Sequence, residues 1–180
     1  FDQMITYGPY TLVSMHSIFS GMYGGRNGVD AYNKMPNKYN SNCKFLANYL
    51  SELGYSTWAS PMRTSLIPET GFDIIQDFDE KSTDYSIAHS DFINRMNKSL
   101  KPSQNFFLYL HYPKIHTSIV ENVFDKYDDF SDEYFSKIDD NLNSYDAYLD
   151  QAGLYLKNIF QTLESNEMTK NSIILVMSDH

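Results

Sequence analysis

Two unbroken apolar runs, separated by a long amphipathic pattern, constrain the fold of this chain more than any other feature. They cover residues 105–110 and 173–177. Runs of this length without polar interruption are typical of strands buried on both faces of a parallel sheet. Between them, over residues 141–164, apolar residues recur at alternating spacings of three and four, which predicts a long helix. The sequence therefore predicts an α/β fold, a mostly parallel sheet with helices on both faces, in which 105–110 and 172–177 are interior strands.

Shorter elements are predicted from the same kinds of pattern. Helices are expected from about Thr11 to Gly21, over 43–53 with Gly54 as the C-terminal glycine, and over 85–100; short strands are expected over 55–59 and within 72–78. Polar, turn-rich composition predicts a loop over residues 30–42, and an acidic, aromatic composition predicts a solvated loop with a helical turn over 117–140.

The composition indicates a folded domain and argues against one class of partner. With 180 residues, 42% of them hydrophobic and 16% aromatic, the chain is long and apolar enough to bury a core. Its formal net charge of −9 argues against a nucleic-acid partner, because phosphate contacts need a basic face. An acidic protein that acts on an anionic ester needs a local positive charge, for which a metal ion is the simplest source. Cys43 is the only cysteine, which excludes an internal disulfide.

The sequence leaves the compartment, membrane association and oligomeric state open. No run reaches transmembrane length, and no signal peptide is visible. Because the chain begins at Phe1 without a methionine and stops at His180 directly after an apolar run, we interpret it as a piece of a longer protein. A cytoplasmic location and a periplasmic or membrane-anchored one are both compatible with it.

The stretch after Gly8-Pro9 has features of a catalytic helix N-terminus. Apolar residues at helical spacing start the helix near Thr11, and Gly21 ends it. Thr11 and Ser14 then lie in the first turn, where backbone N–H groups are unpaired and the helix dipole is positive. A hydroxyl there can cap the helix, or it can attack an anionic ester that the same N–H groups hold. The local pattern alone favours the cap.

Polar residues of catalytic type follow both apolar runs. Active sites in open α/β sheets lie beyond the carboxyl ends of the strands. The first run leads to His111 and, five residues on, to His116. The second leads to Asp179 and His180, which can offer a carboxylate oxygen and an imidazole nitrogen to one cation. By itself, the Asp-His pair is a weak motif.

Three other basic residues are open to simpler interpretations. Arg26, which follows two glycines, is a candidate substrate-binding residue that orients the nucleophile or the anion, and a structural salt bridge is an equal alternative. His16 and His89 are expected on helix faces and are assigned no role.

Four segments of the chain, in order, resemble the sulfatase family of the alkaline phosphatase superfamily. The family's nucleophile pattern reads Cys/Ser-x-Pro-Ser-Arg-x-Ser-x-Leu-Thr-Gly, followed by Tyr-Pro-His-Arg-His-Gly, and its spacing to Gly21 puts the nucleophile at Thr11. The positions that fill later slots are Ser14, Ser17, Phe19, Ser20, Gly21, Tyr23, Arg26 and Gly28. Thr11 replaces the cysteine or serine of the pattern, Val13 replaces the proline and Met15 replaces the arginine.

The other three segments extend the resemblance over nearly the whole chain. The second family signature matches at Gly54, Tyr55, Thr57 and Ser60, with Pro61 and Met62 in place of glycine and lysine. The family segment His-Tyr-x-Asp-Pro-His-x-Pro is similar to residues 111–118, with Lys114 and Ile115 in place of Asp-Pro. The helix before the family's Ser-Asp-His-Gly motif is similar at Tyr148, Asp150, Gly153, Leu156 and Leu163, and residues 178–180 begin that motif.

The resemblance implies a fold and a cofactor. Residues 1–180 would form a partial catalytic domain of alkaline phosphatase/sulfatase-like fold, with a first strand and acidic metal ligands before Phe1 and further ligands after His180. A divalent metal ion (Zn²⁺, Mn²⁺, Mg²⁺ or Ca²⁺) would be held by Asp179 and His180 together with Thr11.

The resemblance also implies roles, and the departures from it favour phosphoryl over sulfuryl chemistry. His111 and His116 would face the substrate anion, and His116 would bind it or protonate the leaving oxygen. Threonine would not give the formylglycine aldehyde of sulfatases, and Met15 and Met62 replace the arginine and lysine that those enzymes use. A directly attacking threonine is what phosphodiesterases, phosphonate hydrolases and phosphoglycerol or phosphoethanolamine transferases of the superfamily use.

The expected function is therefore metal-dependent cleavage of a phosphoester or phosphodiester through Thr11, by hydrolysis or by phosphoryl transfer. The substrate would be a small-molecule, glycan-linked or lipid-linked anionic ester. One alternative is a sulfuric ester hydrolase. A second is a non-catalytic binding module that kept the fold, against which the joint presence of Thr11, Asp179 and His180 argues.

Overall fold

The computed structural model describes residues 5–31, 39–119 and 138–180. These residues divide into two units. The first comprises the described residues up to Phe78 together with Ser99–Leu110 and Ile173–His180, and the second comprises Asp79–Lys98 and the described residues within His111–Ser172. Of the two predicted loops, 30–42 and 117–140, the stretches 32–38 and 120–137 lie outside the described residues.

The first unit contains a three-stranded parallel sheet in the order β2-β1-β3. Its strands are β1 (Ser56–Ser60), β2 (Ile74–Ile75) and β3 (Phe106–Leu110). Trp58, in the middle of β1, is paired with Ile74 on one side and Leu108 on the other. The predicted α/β class with a parallel sheet is therefore confirmed, as are the three strands predicted in these regions.

The strand order corrects one prediction about residues 105–110. They do form a strand, but β3 lies at an edge of the sheet that the described residues form, and its residues are only half-buried. The central strand is β1, in which Thr57, Trp58, Ala59 and Ser60 are buried. An unbroken apolar run shows how hydrophobic a strand is, whereas the number of neighbouring strands depends on topology.

Residues 172–177, predicted as a second interior strand, form no strand in the structure. Their apolar side chains face solvent, with Ile173 92%, Leu175 81% and Val176 60% exposed. Such a run is buried only where a neighbouring strand pairs with its backbone and helices cover its faces. Within the described residues no strand pairs with it, so this prediction is wrong.

Helix α1 (Thr11–Ser20) has the bounds that the sequence predicts. Gly21 ends it in the left-handed conformation, with φ of 63°, and the Gly21 N–H donates to the Ser17 carbonyl at 2.8 Å. The buried face of the helix joins a core cluster that consists of Met15, Phe19, Phe45, Ala59 and Ile67. Ala59 belongs to β1, so the buried face of α1 shares a core with the central strand. A short helix, α2 (Gly24–Asn27), follows.

The second sequence signature, around Thr57, stabilises the fold. It follows α3 (Leu46–Glu52), which is shorter than the predicted 43–53, and precedes a 3₁₀ turn at Thr64–Leu66. The Thr57 hydroxyl donates to the Gly71 carbonyl at 2.7 Å and accepts from the Asp73 N–H at 2.9 Å. The Thr57 N–H donates to the Asp73 carboxylate at 2.9 Å. These bonds hold β1 against the segment that leads into β2.

The second unit contains α4 (Tyr85–Ser99, of which Ser99 belongs to the first unit), α5 (Lys114–Ile119) and α6 (Ile138–Ser165). The helices predicted over 85–100 and 141–164 are confirmed. A cluster of buried and half-buried rings joins them: the Tyr112 ring stacks on Tyr155 with centroids 4.2 Å apart, and His89 Nδ1 lies 2.7 Å from the Tyr155 hydroxyl. In the described part of the chain, no helix is both long and apolar enough to cross a bilayer.

Acidification is expected to destabilise the second unit through His89. This side chain is fully buried, and desolvation, assisted by His111, lowers its pKa from 6.5 to about 3. Between these values the unfolded chain binds a proton at His89 that the folded chain does not bind. Stability is therefore full above pH 6.5 and falls with pH, by at most about 1.4 kcal/mol per pH unit from this group.

Urea unfolding at several values between pH 7.5 and 4.5 measures this slope. We expect His89→Gln to have a shallower slope than the unaltered protein. His116→Gln, a matched change at an exposed histidine, should keep the original slope. An unaltered slope in His89→Gln would show that another group controls the acid sensitivity.

Candidate functional site

The N-terminus of α1 is open. Tyr10, the N-cap residue, is extended and supplies no side-chain cap. Among the described residues, the backbone N–H groups of Thr11, Leu12 and Val13 have no acceptor, and the half-buried Thr11 hydroxyl has no hydrogen-bond partner. Unpaired N–H groups at the positive end of a helix dipole attract anions. A hydroxyl therefore stands at an end of the helix that is able to bind an anionic group.

A hydroxyl network connects this helix with Asp179. Ser14, one turn after Thr11, is buried, and its hydroxyl donates to the Asp179 carbonyl. The Thr6 hydroxyl lies 3.2 Å from the Ser14 hydroxyl and 3.1 Å from both the Asp179 and the Gly8 carbonyl oxygens. The structure thus brings the start of α1 and the Asp179 backbone together, although 165 residues separate Ser14 from Asp179.

The Asp179 side chain has an unsatisfied acceptor. Its Oδ2 atom is buried and has no hydrogen-bond partner among the described residues, and His180 Nε2 lies 3.8 Å from it. An unpaired carboxylate oxygen beside an imidazole nitrogen suits a divalent cation, which both atoms can bind. No group of three His, Cys, Asp or Glu side chains within residues 5–31, 39–119 and 138–180 is arranged to hold a metal ion. A metal site at Asp179 and His180 therefore stays a prediction.

His111 and His116 belong to the second unit, so their convergence with Thr11 stays a prediction. His111 is half-buried, and His116 is exposed on α5. Between them, the Lys114 ammonium donates to the Glu80 carbonyl at 2.7 Å and the Lys81 carbonyl at 2.9 Å. The segment that carries both histidines is thus fixed to a neighbouring turn within its own unit.

Arg26 is exposed in the last turn of α2, and a buried neighbour holds that turn. The Asn27 side-chain amide donates to the Ser20 hydroxyl at 3.2 Å and to the Met22 carbonyl at 3.1 Å. Its oxygen accepts from the Val29 N–H at 2.8 Å. The guanidinium of Arg26 is therefore presented to solvent from a fixed backbone, as an anion-binding side chain needs.

His16 is a core residue on the buried face of α1. Its side chain is fully buried, and desolvation lowers its pKa. The ring is therefore neutral at neutral pH, and Nδ1, which lies 2.9 Å from the Leu12 carbonyl, is the nitrogen that donates. The ring packs edge-on against Phe45.

Sequence reasoning did not identify Thr6, Asn27 or the contacts of Lys114. For Ser14, the sequence predicts a first-turn hydroxyl and a match to the family pattern, but not its contact with Asp179. The spacing of residues around Thr6 does not predict a role for it, because its hydroxyl contacts Ser14 and the Asp179 carbonyl near the other end of the chain. The departure of Lys114 from the family's Asp-Pro was visible, but its carbonyl partners were not.

Comparison with known proteins adds one match. The family model described as Sulfatase matches residues 1–180. A search of the curated proteins found no match. Members of that family typically use divalent metal ions. Asp179 and His180, whose Oδ2 and Nε2 atoms are 3.8 Å apart, have side chains of the types that bind such ions.

Proposed function

This chain belongs to the sulfatase family, and we propose that it cleaves a phosphodiester or related phosphoester with Thr11 as the nucleophile. The family supports an ester hydrolase; the threonine nucleophile and the phosphoester preference are our proposal. The observation that carries it is the Thr11 hydroxyl, which has no hydrogen-bond partner among the described residues and stands at a helix N-terminus without a side-chain cap. The Ser14 hydroxyl connects the same helix turn to the Asp179 backbone.

The chain's own residues account for binding and bond exchange. The N–H groups at the start of α1, which have no acceptor among the described residues, bind the non-bridging oxygens of the ester, and Arg26 adds a further cation. The Thr11 hydroxyl gives up its proton to solvent water, and its oxygen bonds to phosphorus as the bond to the leaving oxygen breaks. His116 supplies that leaving oxygen with a proton. Water or an acceptor alcohol then releases the Thr11 ester. Asp179 and His180 would help to hold a divalent cation, whose charge would favour the Thr11 alkoxide.

Two observations support phosphoryl rather than sulfuryl transfer. Oxidation of a threonine side chain would give a ketone, so Thr11 is not a precursor of formylglycine. Met15 occupies the slot of the sulfatase arginine, and it is buried in the core, where the Tyr109 hydroxyl lies 3.6 Å from its sulfur. That slot therefore contributes to packing and has no charge to offer a sulfate group.

The decisive assay compares an aryl phosphodiester and an aryl sulfate with the same preparation, with and without a chelator. We expect the phosphodiester to be cleaved faster by at least about tenfold, a difference of about 1.4 kcal/mol in the barrier. Chelation should abolish that activity, and co-expression of a formylglycine-generating enzyme should not change it. Faster cleavage of the aryl sulfate would support the sulfuric ester hydrolase instead. Absence of turnover with both esters would support a binding module.

A further inference from the structure

We propose that Lys114 is a positioning residue that holds the segment from His111 to His116 in the arrangement needed for anion binding. The inference rests on the proposed role of those two histidines. Lys114 lies between them and is the first residue of α5. A lysine between two histidines that are predicted to bind an anion could itself be a substrate-binding residue. The contacts of the Lys114 ammonium argue against that role.

The Lys114 ammonium is already occupied within the protein. Nζ donates to the Glu80 carbonyl at 2.7 Å and to the Lys81 carbonyl at 2.9 Å. It also lies over the ring of the buried Tyr85, 5.8 Å from the centroid. An ammonium has three donors, so two carbonyls and one ring face use most of its capacity. Lys114 therefore stabilises the conformation of the segment from His111 to His116.

The turn that accepts these bonds is itself fixed. The Asp79 carboxylate accepts from the Ser82 N–H at 2.7 Å, from the Ser82 hydroxyl at 2.7 Å and from the Lys81 N–H at 3.1 Å. Because this side chain orders the turn, the carbonyls of Glu80 and Lys81 are held in place for the ammonium. Lys114 is thus attached to a rigid anchor within its own unit.

The residues around Lys114 are held on both sides of it. The Tyr112 ring stacks on Tyr155 with centroids 4.2 Å apart and planes inclined by 20°. Pro113 is buried, and its carbonyl accepts from both the Thr117 N–H at 3.0 Å and the Thr117 hydroxyl at 3.2 Å. His116, which is exposed, is the member of this segment that faces solvent. Loss of the Lys114 contacts would release the first turn of α5, and with it His116.

A released segment would spend less time in the arrangement that binds the anion. The apparent dissociation constant for the anion would then rise by the factor by which the population of that arrangement falls. We expect Lys114→Met, which keeps the length of the side chain, to weaken orthophosphate binding by about tenfold in calorimetry, equivalent to about 1.4 kcal/mol. KM should rise by a similar factor, with kcat changed by less than about twofold. Lys114→Arg, which keeps the cation and its donors, should restore most of the affinity. Lys98→Met, the same change at an exposed position of α4, should have no effect.

Amide hydrogen exchange over residues 112–118, without substrate, separates this inference from the proposed function. Lys114→Met should exchange faster there, and Lys114→Arg should resemble the unaltered protein. Unchanged exchange in Lys114→Met would overturn the positioning role, even if the enzyme cleaves phosphodiesters. Faster exchange with unchanged phosphate affinity would overturn the link between the segment and anion binding. A fall in kcat at constant KM would instead assign Lys114 to the chemical step.

Discussion

Replacement of Thr11 by alanine should abolish turnover while leaving the fold intact. We expect kcat/KM to fall by ~10³-fold or more, on the order of 4 kcal/mol of barrier. The reason is that alanine at the first position of α1 has no oxygen to attack phosphorus. The Thr11 hydroxyl has no partner among the described residues, so its removal breaks no hydrogen bond there. Alanine also has a higher helix propensity, so the thermal midpoint should stay the same or rise slightly.

Thr11→Ser is the matched variant, because it keeps the hydroxyl and removes only the methyl group. It should retain part of the phosphodiesterase activity, measured at saturating metal with thermal unfolding in parallel. Full activity in Thr11→Ala would show that Thr11 is not the nucleophile. A large fall in its thermal midpoint would assign Thr11 to the fold instead.

Asp179→Asn should cause the second largest loss of activity, without a loss of stability. The amide keeps the size of the side chain but removes the charge that a divalent cation needs, so we expect activity to fall by about 10²-fold or more. Manganese binding in calorimetry should weaken in the same variant. In metal-free protein the thermal midpoint should not fall, because the replaced Oδ2 is a buried acceptor without a partner among the described residues, and such a group costs about 1–3 kcal/mol.

The control for this experiment is Asp150→Asn, the same change at an exposed position of α6. It should leave manganese affinity and turnover unchanged. Unaltered metal affinity in Asp179→Asn would remove Asp179 from the ligand set. A lower midpoint in its metal-free form would indicate that the carboxylate stabilises the fold.

Local sequence determined helices α1, α4 and α6 and the position of Thr11 at the start of α1. The bounds of α1 follow from apolar spacing and from Gly21, whose left-handed φ of 63° ends the helix. Helix α6 follows from an apolar period that persists over many turns. These features depend on residues within a few positions of one another, so the sequence contains the information directly. The same holds for Thr11, since being the first helical residue is a local property.

Tertiary structure alone decided which strand is central and which groups meet. Hydrophobicity predicted 173–177 as a buried strand, but burial requires a pairing strand, and within the described residues none pairs with it. The contact of Ser14 with Asp179 spans 165 residues, and that of Lys114 with Glu80 spans 34. Contacts over such separations depend on how the chain closes its loops, and no periodicity in the sequence records that choice. Neither the positioning of Asp179 nor that of the His116 segment could therefore be deduced before the chain was folded.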